Sequence, residues 1–524
     1  MRQARNLSEL LRETAREHPQ ALAFRYGDES IRYQDWADYA ARLAAFYWSL
    51  GLRPGDVIAL LLPSTPFYLM AYLGAAQLGL VTAGMNLRYR RREISAILAR
   101  SGARLLLGVR TGHEGVDFQR LIDEEAPGLP TLEHTIWIDP GDLADTGALV
   151  RRLSNGLGTA PDVDVDPDAP ATIIFTSGTT GVPKGACYCH RNLLALAAIE
   201  SRRYEAGLEP VRKHLAAGVS FAHLGTMARI AVQITNVAMS IVHDRFDPTA
   251  VLETIARERL PHLGAFPTQM LSLLDHPGRA RYDLSCLRSI LLGGAPVAPE
   301  LIQRVQHELG AVVSVRYSST EVGIATASLP SDPVEVLCAT VGKPTAGVEL
   351  RIVDPQNRPL PAGEIGEVVV RSPATMVGYW NDPDATARTI DSEGWVHTGD
   401  LGFLDKAGYL HLRGRANEMY IRGGFNVYPM EVENVLLQHP KVARVAMIGV
   451  PDRRLGEVGW AFVVPVDPND PPTLEELRSF VGRELASFKR PDGLTIIRDM
   501  PLTPMFKPDK RALRQAWDEA NARR

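Results

Sequence analysis

Phe175-Thr176-Ser177-Gly178-Thr179-Thr180-Gly181-Val182-Pro183-Lys184-Gly185 is the stretch on which the reading of this 524-residue chain turns. It follows Thr172 to Phe175, a short β-branched and aromatic run with the pattern of a buried strand. Its glycines permit backbone geometries that point N–H groups inward, and four hydroxyls plus one ammonium surround the same space. That combination reads as a phosphate-binding loop after a strand. It is not of the Walker type, because Lys184 precedes a glycine and no Gly-Lys-Ser/Thr follows.

The rest of the composition requires any polyanion to be held locally. Lys and Arg number 57 against 61 Asp and Glu, a net charge of −4, so no basic field attracts nucleic acid or anionic lipid. Apolar residues at 45% and charged residues at 23% describe an ordinary globular protein. The cysteines Cys187, Cys189, Cys286 and Cys338 are too few to staple such a chain, which predicts a reducing, cytoplasmic setting. Cys187-Tyr188-Cys189 has ligand-like spacing but no second pair, and reads as part of a strand. The N-terminus is an amphipathic helix with Leu7, Leu10 and Leu11 on one side, and it lacks the apolar core and cleavage site of a signal peptide.

Val57 to Met85 contains no charged residue and is longer than the ~20 residues that span a bilayer. Pro63-Ser64-Thr65-Pro66 divides it into a strand-length piece and a helix-length piece, Phe67 to Leu78, before Leu80-Val81-Thr82 restarts a strand. A buried strand-helix-strand unit is therefore expected, not a membrane span.

Beyond it, β-branched runs alternate with amphipathic helices, as in Ser289 to Leu292 before Pro299 to Leu309, which predicts α/β architecture with largely parallel sheets. Past about residue 340, strand-and-turn segments take over, with turns such as Pro361-Ala362-Gly363. The expected organisation is a large N-terminal domain, 1–416, closed by this β-rich section, and a small mobile α+β C-terminal domain, 417–524, hinged near Asn417.

The loop at Thr176 to Gly185 resembles the signature of the adenylate-forming superfamily, which contains acyl-CoA synthetases, peptide-synthetase adenylation domains and beetle luciferases. Further resemblances follow in the family's order over nearly the whole chain: Leu292-Gly-Gly-Ala-Pro296, Tyr317-Ser-Ser-Thr-Glu321, Thr398-Gly-Asp400, Gly414-Arg415, Gly423-Gly-Phe-Asn-Val-Tyr-Pro429, and Pro501-Leu-Thr503 ahead of Lys507. The resemblance implies a nucleotide site built from Thr176, Ser177, Gly178, Thr179, Thr180, Lys184, Gly294, Ala295, Pro296, Arg316, Tyr317, Ser318, Asp400, Arg415 and Lys507. Glu321 would supply a hard oxygen to Mg²⁺, with the Thr320 hydroxyl beside it. Tyr317 would offer adenine a ring, Asp400 would accept both ribose hydroxyls, and Lys507 would meet the negative charge that accumulates as a carboxylate attacks the α-phosphorus. The C-terminal domain would then swing, withdraw Lys507, and bring Gly423, Gly424 and Phe425 to the path of the CoA thiol. Phe221, His223, Phe266, Gly294, Ser318 and Val322 would line the acyl pocket.

Four features depart from the family pattern. Phe506 stands where a glycine usually precedes the catalytic lysine, and Pro508 follows it, so presentation of Lys507 is expected to be impaired. Asn417 replaces the usual hinge Asp or Lys, and Ser318 replaces a glycine in the acyl pocket. Ala222 stands where a gating His, or the Asp of amino-acid activators, is usual, with His223 one place along. The missing Asp argues against a substrate with an α-amino group, which needs a buried counter-charge. With nothing beyond Arg524, no fused carrier domain is expected to take the product.

The chain is thus expected to be an acyl-CoA synthetase using ATP, Mg²⁺ and coenzyme A on an apolar, non-amino carboxylic acid, without nucleic-acid or membrane partners, as a monomer or homodimer. The alternatives are an enzyme confined to thioesterification of a preformed acyl-adenylate, and a non-catalytic acyl or nucleotide binder.

Overall fold

The computed structural model of the protein describes residues 4–176, 183–205, 212–294, 297–503 and 507–521, with backbone alone at 114, 201–205 and 228. The uncharged run folds as its punctuation dictates: strand Val57–Leu61, helix Pro66–Gln77, strand Val81–Gly84. Pro66 opens the helix where a missing N–H is harmless, and Gly79 turns the chain at φ +66°. Every residue from Pro66 to Ala76 is buried, as suits a helix that is apolar all round. Among the described residues no helix is long and apolar enough to cross a membrane.

These elements belong to a seven-stranded sheet in the order Gly378–Tyr379, Lys184–Cys189, Pro170–Thr176, Val81–Gly84, Val57–Leu61, Leu105–Val109, His134–Ile138. From Pro170–Thr176 outward to His134–Ile138 the pairing is parallel, and the two strands on the other side are antiparallel additions. Cys187 and Cys189 lie on a strand of this sheet, buried with Tyr188, as free thiols. The helix Leu7–Glu17 packs Leu7, Leu10 and Leu11 into the same core.

A second sheet runs His262–Ala265, Ser289–Leu292, Val312–Ser319, Gly323–Ala327, Lys343–Pro344, parallel over its first three strands and antiparallel thereafter. A third joins Glu29–Arg32 and Leu22–Tyr26 to Met239–His243 and Lys213–Ala217. The predicted β-rich section is the antiparallel sheet Glu349–Val353, Gly366–Arg371, Val396–Leu404, Leu410–Arg415.

The smaller C-terminal domain is built on the long hairpin Val442–Asp452 and Gly456–Pro465. Alternate residues of the first strand serve opposite faces. Val445 and Met447 pack with Val432, Leu436, Leu477 and Val481 of two helices, whereas Ala446 and Ile448 pack with Leu513 of the helix Lys510–Asn521. The α/β class and the large-plus-small arrangement agree with the sequence reading.

Candidate active site

The phosphate-loop candidate connects two antiparallel strands, since Pro170–Thr176 pairs with Lys184–Cys189 and sets Thr176 opposite Lys184. Ser177, Gly178, Thr179 and Thr180 lie outside the described residues. At the hairpin's foot, a side chain on Gly185 would come within 2.5 Å of Ile173, so close strand packing requires this glycine.

Tyr379, which the sequence reading missed, joins two of the motifs. It pairs with Ala186 on the far side of the hairpin strand, and its ring lies 5.1 Å from the Lys184 ammonium. Its hydroxyl donates to Glu321 Oε1 at 3.1 Å. Thr320 and Glu321 form the turn between Val312–Ser319 and Gly323–Ala327, not a helix start. That turn is pinned from three sides: Tyr188 donates its hydroxyl to the Thr320 carbonyl (2.7 Å), Met376 N–H donates to the Glu321 carbonyl (2.9 Å), and Glu321 N–H donates to Ser319 Oγ (3.2 Å). Gly323 follows at φ +69°.

The third group centres on Asp400. Strands Val396–Leu404 and Leu410–Arg415 set Asp400 opposite Arg415, and Arg415 Nε lies 3.0 Å from Asp400 Oδ1. Tyr317 donates its hydroxyl to Oδ2 at 2.6 Å. Burial raises the Asp400 pKa, against the opposing pull of Arg415, the Tyr317 hydrogen bond and Lys507. Among the described residues each carboxylate oxygen has one of these donors, which leaves a lone-pair direction for another. Tyr317 therefore has a hydroxyl bound to Asp400 and a buried ring.

Arg316 departs from the expected nucleotide group. Side chains alternate along the strand, so Arg316 faces away from Tyr317 and pairs with Glu200 at 2.8 Å on the helix His190–Glu205. A register shift after Tyr317 then leaves Ser318 exposed. Ala295 and Pro296 lie outside the described residues.

Lys507 does reach this region. Its N–H donates to Thr503 Oγ1 (3.3 Å), the Thr503 N–H donates to its carbonyl (2.7 Å), and Leu502 bridges Pro508. The extended bias that Pro508 imposes on Lys507 suits this pairing with Thr503. Met505 and Phe506 lie outside the described residues. Burial and Arg415 lower the Lys507 pKa, while Asp400, Glu321 and Glu418 oppose that shift. Lys507 and Arg415 both keep solvent-exposed surface.

On the acyl side, His223 caps the helix Leu224–Thr235 and is buried, and its Nε2 has no hydrogen-bond partner among the described residues. Burial, assisted by the nearby Lys507 charge, lowers its pKa to about 4, so the ring is neutral at physiological pH. Phe221 meets Tyr68 edge-on at 5.8 Å, and its N–H donates to Ser64 Oγ at 3.1 Å. Gly294, at φ +79°, faces Phe266 so closely that a Cβ would lie 2.6 Å from the ring. Val322 is fully buried.

Gly423 and Gly424 carry φ +58° and +89° at the tip of a two-residue hairpin in which Arg422 pairs with Phe425. Phe425 stacks on Phe488 at 4.6 Å. A Cβ on Gly424 meets nothing within 4 Å, so the turn conformation, not space, demands glycine here. Gly424→Ala should cost about 1 kcal/mol in chemical denaturation, and Gly424→Asn less, because asparagine tolerates this region. Asn417 is exposed in the turn after Arg415, where the N–H groups of Glu418 and Met419 both donate to the Arg415 carbonyl.

Comparison with known proteins fits this geometry. The family model for AMP-binding enzymes matches residues 11–380, and that for their C-terminal domain matches 431–507. The chain is 36% identical over 507 residues to a 3-(7a-methyl-1,5-dioxo-octahydro-1H-inden-4-yl)propanoyl:CoA ligase of Mycobacterium tuberculosis, covering 95% of this chain and 96% of that protein. It is 34% identical over 512 residues to a feruloyl-CoA synthase of Amycolatopsis, covering 96% and 97%. Among solved structures, o-succinylbenzoate CoA synthetase from Bacillus subtilis, in complex with its acyl-adenylate, superposes with a TM-score of 0.82 at 27% identity, over 96% of this chain and 97% of that one. The chain belongs to the AMP-binding enzyme family, in the acyl-CoA synthetase branch of the adenylate-forming superfamily.

Proposed function

We propose that this enzyme activates a largely apolar carboxylic acid without an α-amino group as its acyl-adenylate and transfers the acyl group to coenzyme A. The observation that carries the reading is the convergence of Tyr317, Arg415 and the Lys507 charge on Asp400, with Glu321 in electrostatic reach of Lys507. In the first half-reaction, a carboxylate oxygen attacks the α-phosphorus of ATP and pyrophosphate leaves. Asp400 receives the ribose hydroxyls on its remaining lone pairs, Lys184 with residues 177–180 holds the leaving phosphates, and Lys507 balances charge between acid and nucleotide. In the second, the CoA sulfur attacks the acyl carbon and AMP departs. Domain 417–524 turns near Asn417 between the halves and carries Gly423, Gly424 and Phe425 toward the thiol path.

Glu321 suits a magnesium ion: Tyr379 occupies one carboxylate oxygen and leaves Oε2 for a cation, and Mg²⁺ characteristically uses one or two protein carboxylates alongside substrate phosphates. Bound there, it would neutralise phosphate charge. Tyr379→Phe keeps the ring beside Lys184 but releases Glu321, so KM for Mg·ATP should rise about 3- to 10-fold with a smaller change in kcat. Initial rates at varied Mg·ATP measure this.

The test of the whole reading is pyrophosphate release from acid and Mg·ATP with CoA omitted, followed by detection of acyl-CoA by mass spectrometry once CoA is added. Thioester from a synthetic acyl-adenylate, with no pyrophosphate from any acid, would instead favour the enzyme confined to the second half. The electrostatic proximity of Lys507 to Asp400, Glu321 and Arg415 favours the complete reaction.

A further inference from the structure

We infer that the acid carries a second oxygen acceptor, a carboxylate or a carbonyl, at its far end, recognised by Arg229; this rests on the acyl-CoA ligase reading above. Arg229 lies on the helix Leu224–Thr235, six residues beyond His223. It is half-buried, and among the described residues its guanidinium has no ion-pair or hydrogen-bond partner. A buried-side cation normally has one. Arg316, the other arginine inside this part of the fold, is committed to Glu200.

Two glycines give Arg229 its place. Gly225, one helical turn earlier on the same face, is exposed, and a Cβ there would meet nothing among the described residues within 4 Å, so this face of the helix borders open space. On the strand side, a Cβ on Gly264 would lie 2.8 Å from Arg229 Nη2 and 3.2 Å from Nη1. The absent side chain is the room the guanidinium occupies. The charge is felt further in, where it helps burial lower the His214 pKa to about 3, leaving that imidazole neutral and no rival for an anion.

Gly264 is two residues before Phe266, on a strand parallel to the one ending at Leu292, just ahead of Gly294. Ligands of such sheets sit beyond the carboxyl ends of the strands. A ligand held at Phe266 and Gly294 that extends down between strand and helix arrives at Arg229. Two residues of strand are roughly 7 Å and six residues of helix about 9 Å, which sets the separation of the two ends of the acid. The wholly apolar acid expected from sequence is thereby refined: apolar along its length, polar at its tip.

The test compares kcat/KM for CoA-thioester formation from octanoic, octanedioic and oxo-octanoic acids in the full chain. The wild type should prefer at least one functionalised acid over octanoic acid by about 10- to 100-fold, and the better of the two names the acceptor. Arg229→Met should bring that ratio close to one. Arg229→Lys, which keeps the charge, should hold an intermediate ratio if the acceptor is a carboxylate, and Gly264→Ala should lower the ratio by displacing the guanidinium. Circular dichroism establishes that each variant is folded. A wild-type ratio near one, or an unchanged ratio in a folded Arg229→Met, overturns the inference while the ligase reading stands. No thioester from any acid overturns both.

Discussion

Lys507→Ala should slow acyl-adenylate formation by about 100- to 1,000-fold while leaving thioester formation from a synthetic acyl-adenylate and CoA within about threefold. The asymmetry follows from where the lysine stands. In this conformation its ammonium shares an electrostatic neighbourhood with Asp400, Glu321 and Arg415, on the wall where the α-phosphorus and the acid would meet. Only the first half-reaction gathers negative charge there. On the proposed turn of the C-terminal domain, the second would proceed after the lysine has been carried away. Pyrophosphate release and mass-spectrometric detection of acyl-CoA measure the two halves separately, and equal losses in both would remove Lys507 from its assigned role.

Asp400→Asn should raise KM for ATP by about 10- to 100-fold and should also move the alkaline limb of the pH profile. The carboxylate is the acceptor shared by the Tyr317 hydroxyl and Arg415, and an amide presents an N–H₂ to one of those donors. The direction of the pH effect comes from Lys507. Its pKa is already below the usual lysine range, and the Asp400 charge opposes that lowering. The ammonium is the active form, so kcat/KM for adenylation falls as pH rises through the free enzyme's Lys507 pKa. Removing the Asp400 charge lowers that pKa further, and the fall should begin at a lower pH in the variant. An alkaline limb shifted upward, or left in place, would show that the two groups are not coupled in this way.

Much of the fold was legible because punctuation and periodicity agree. Pro63 and Pro66 cut the uncharged run into lengths that only a strand and a helix fill, and the structure builds both. Motifs separated by a hundred residues were also legible singly, and Tyr317, Asp400 and Arg415 meet as their order implied. What sequence could not supply is pairing at a distance. Tyr379 matters because an edge strand lays it against the phosphate-loop hairpin, and no local spacing signals that. Arg229 sits inside an apolar helix, where its importance appears only once Gly264 is seen across from it. One residue is placed differently from its expected group for a local reason. Arg316 was grouped with Tyr317 by adjacency, although neighbours on a strand face opposite sides. The contacts that flank Lys507, its N–H to Thr503 and the bridge from Leu502 to Pro508, were not signalled by spacing either.

The central claim, that these separated motifs form one adenylation site, is tested most directly by acid-dependent exchange of labelled pyrophosphate into ATP by the wild-type enzyme without CoA. Exchange that requires both the acid and Mg²⁺ is the predicted result. An enzyme that forms acyl-CoA from a synthetic acyl-adenylate yet shows no exchange with any acid would contradict it.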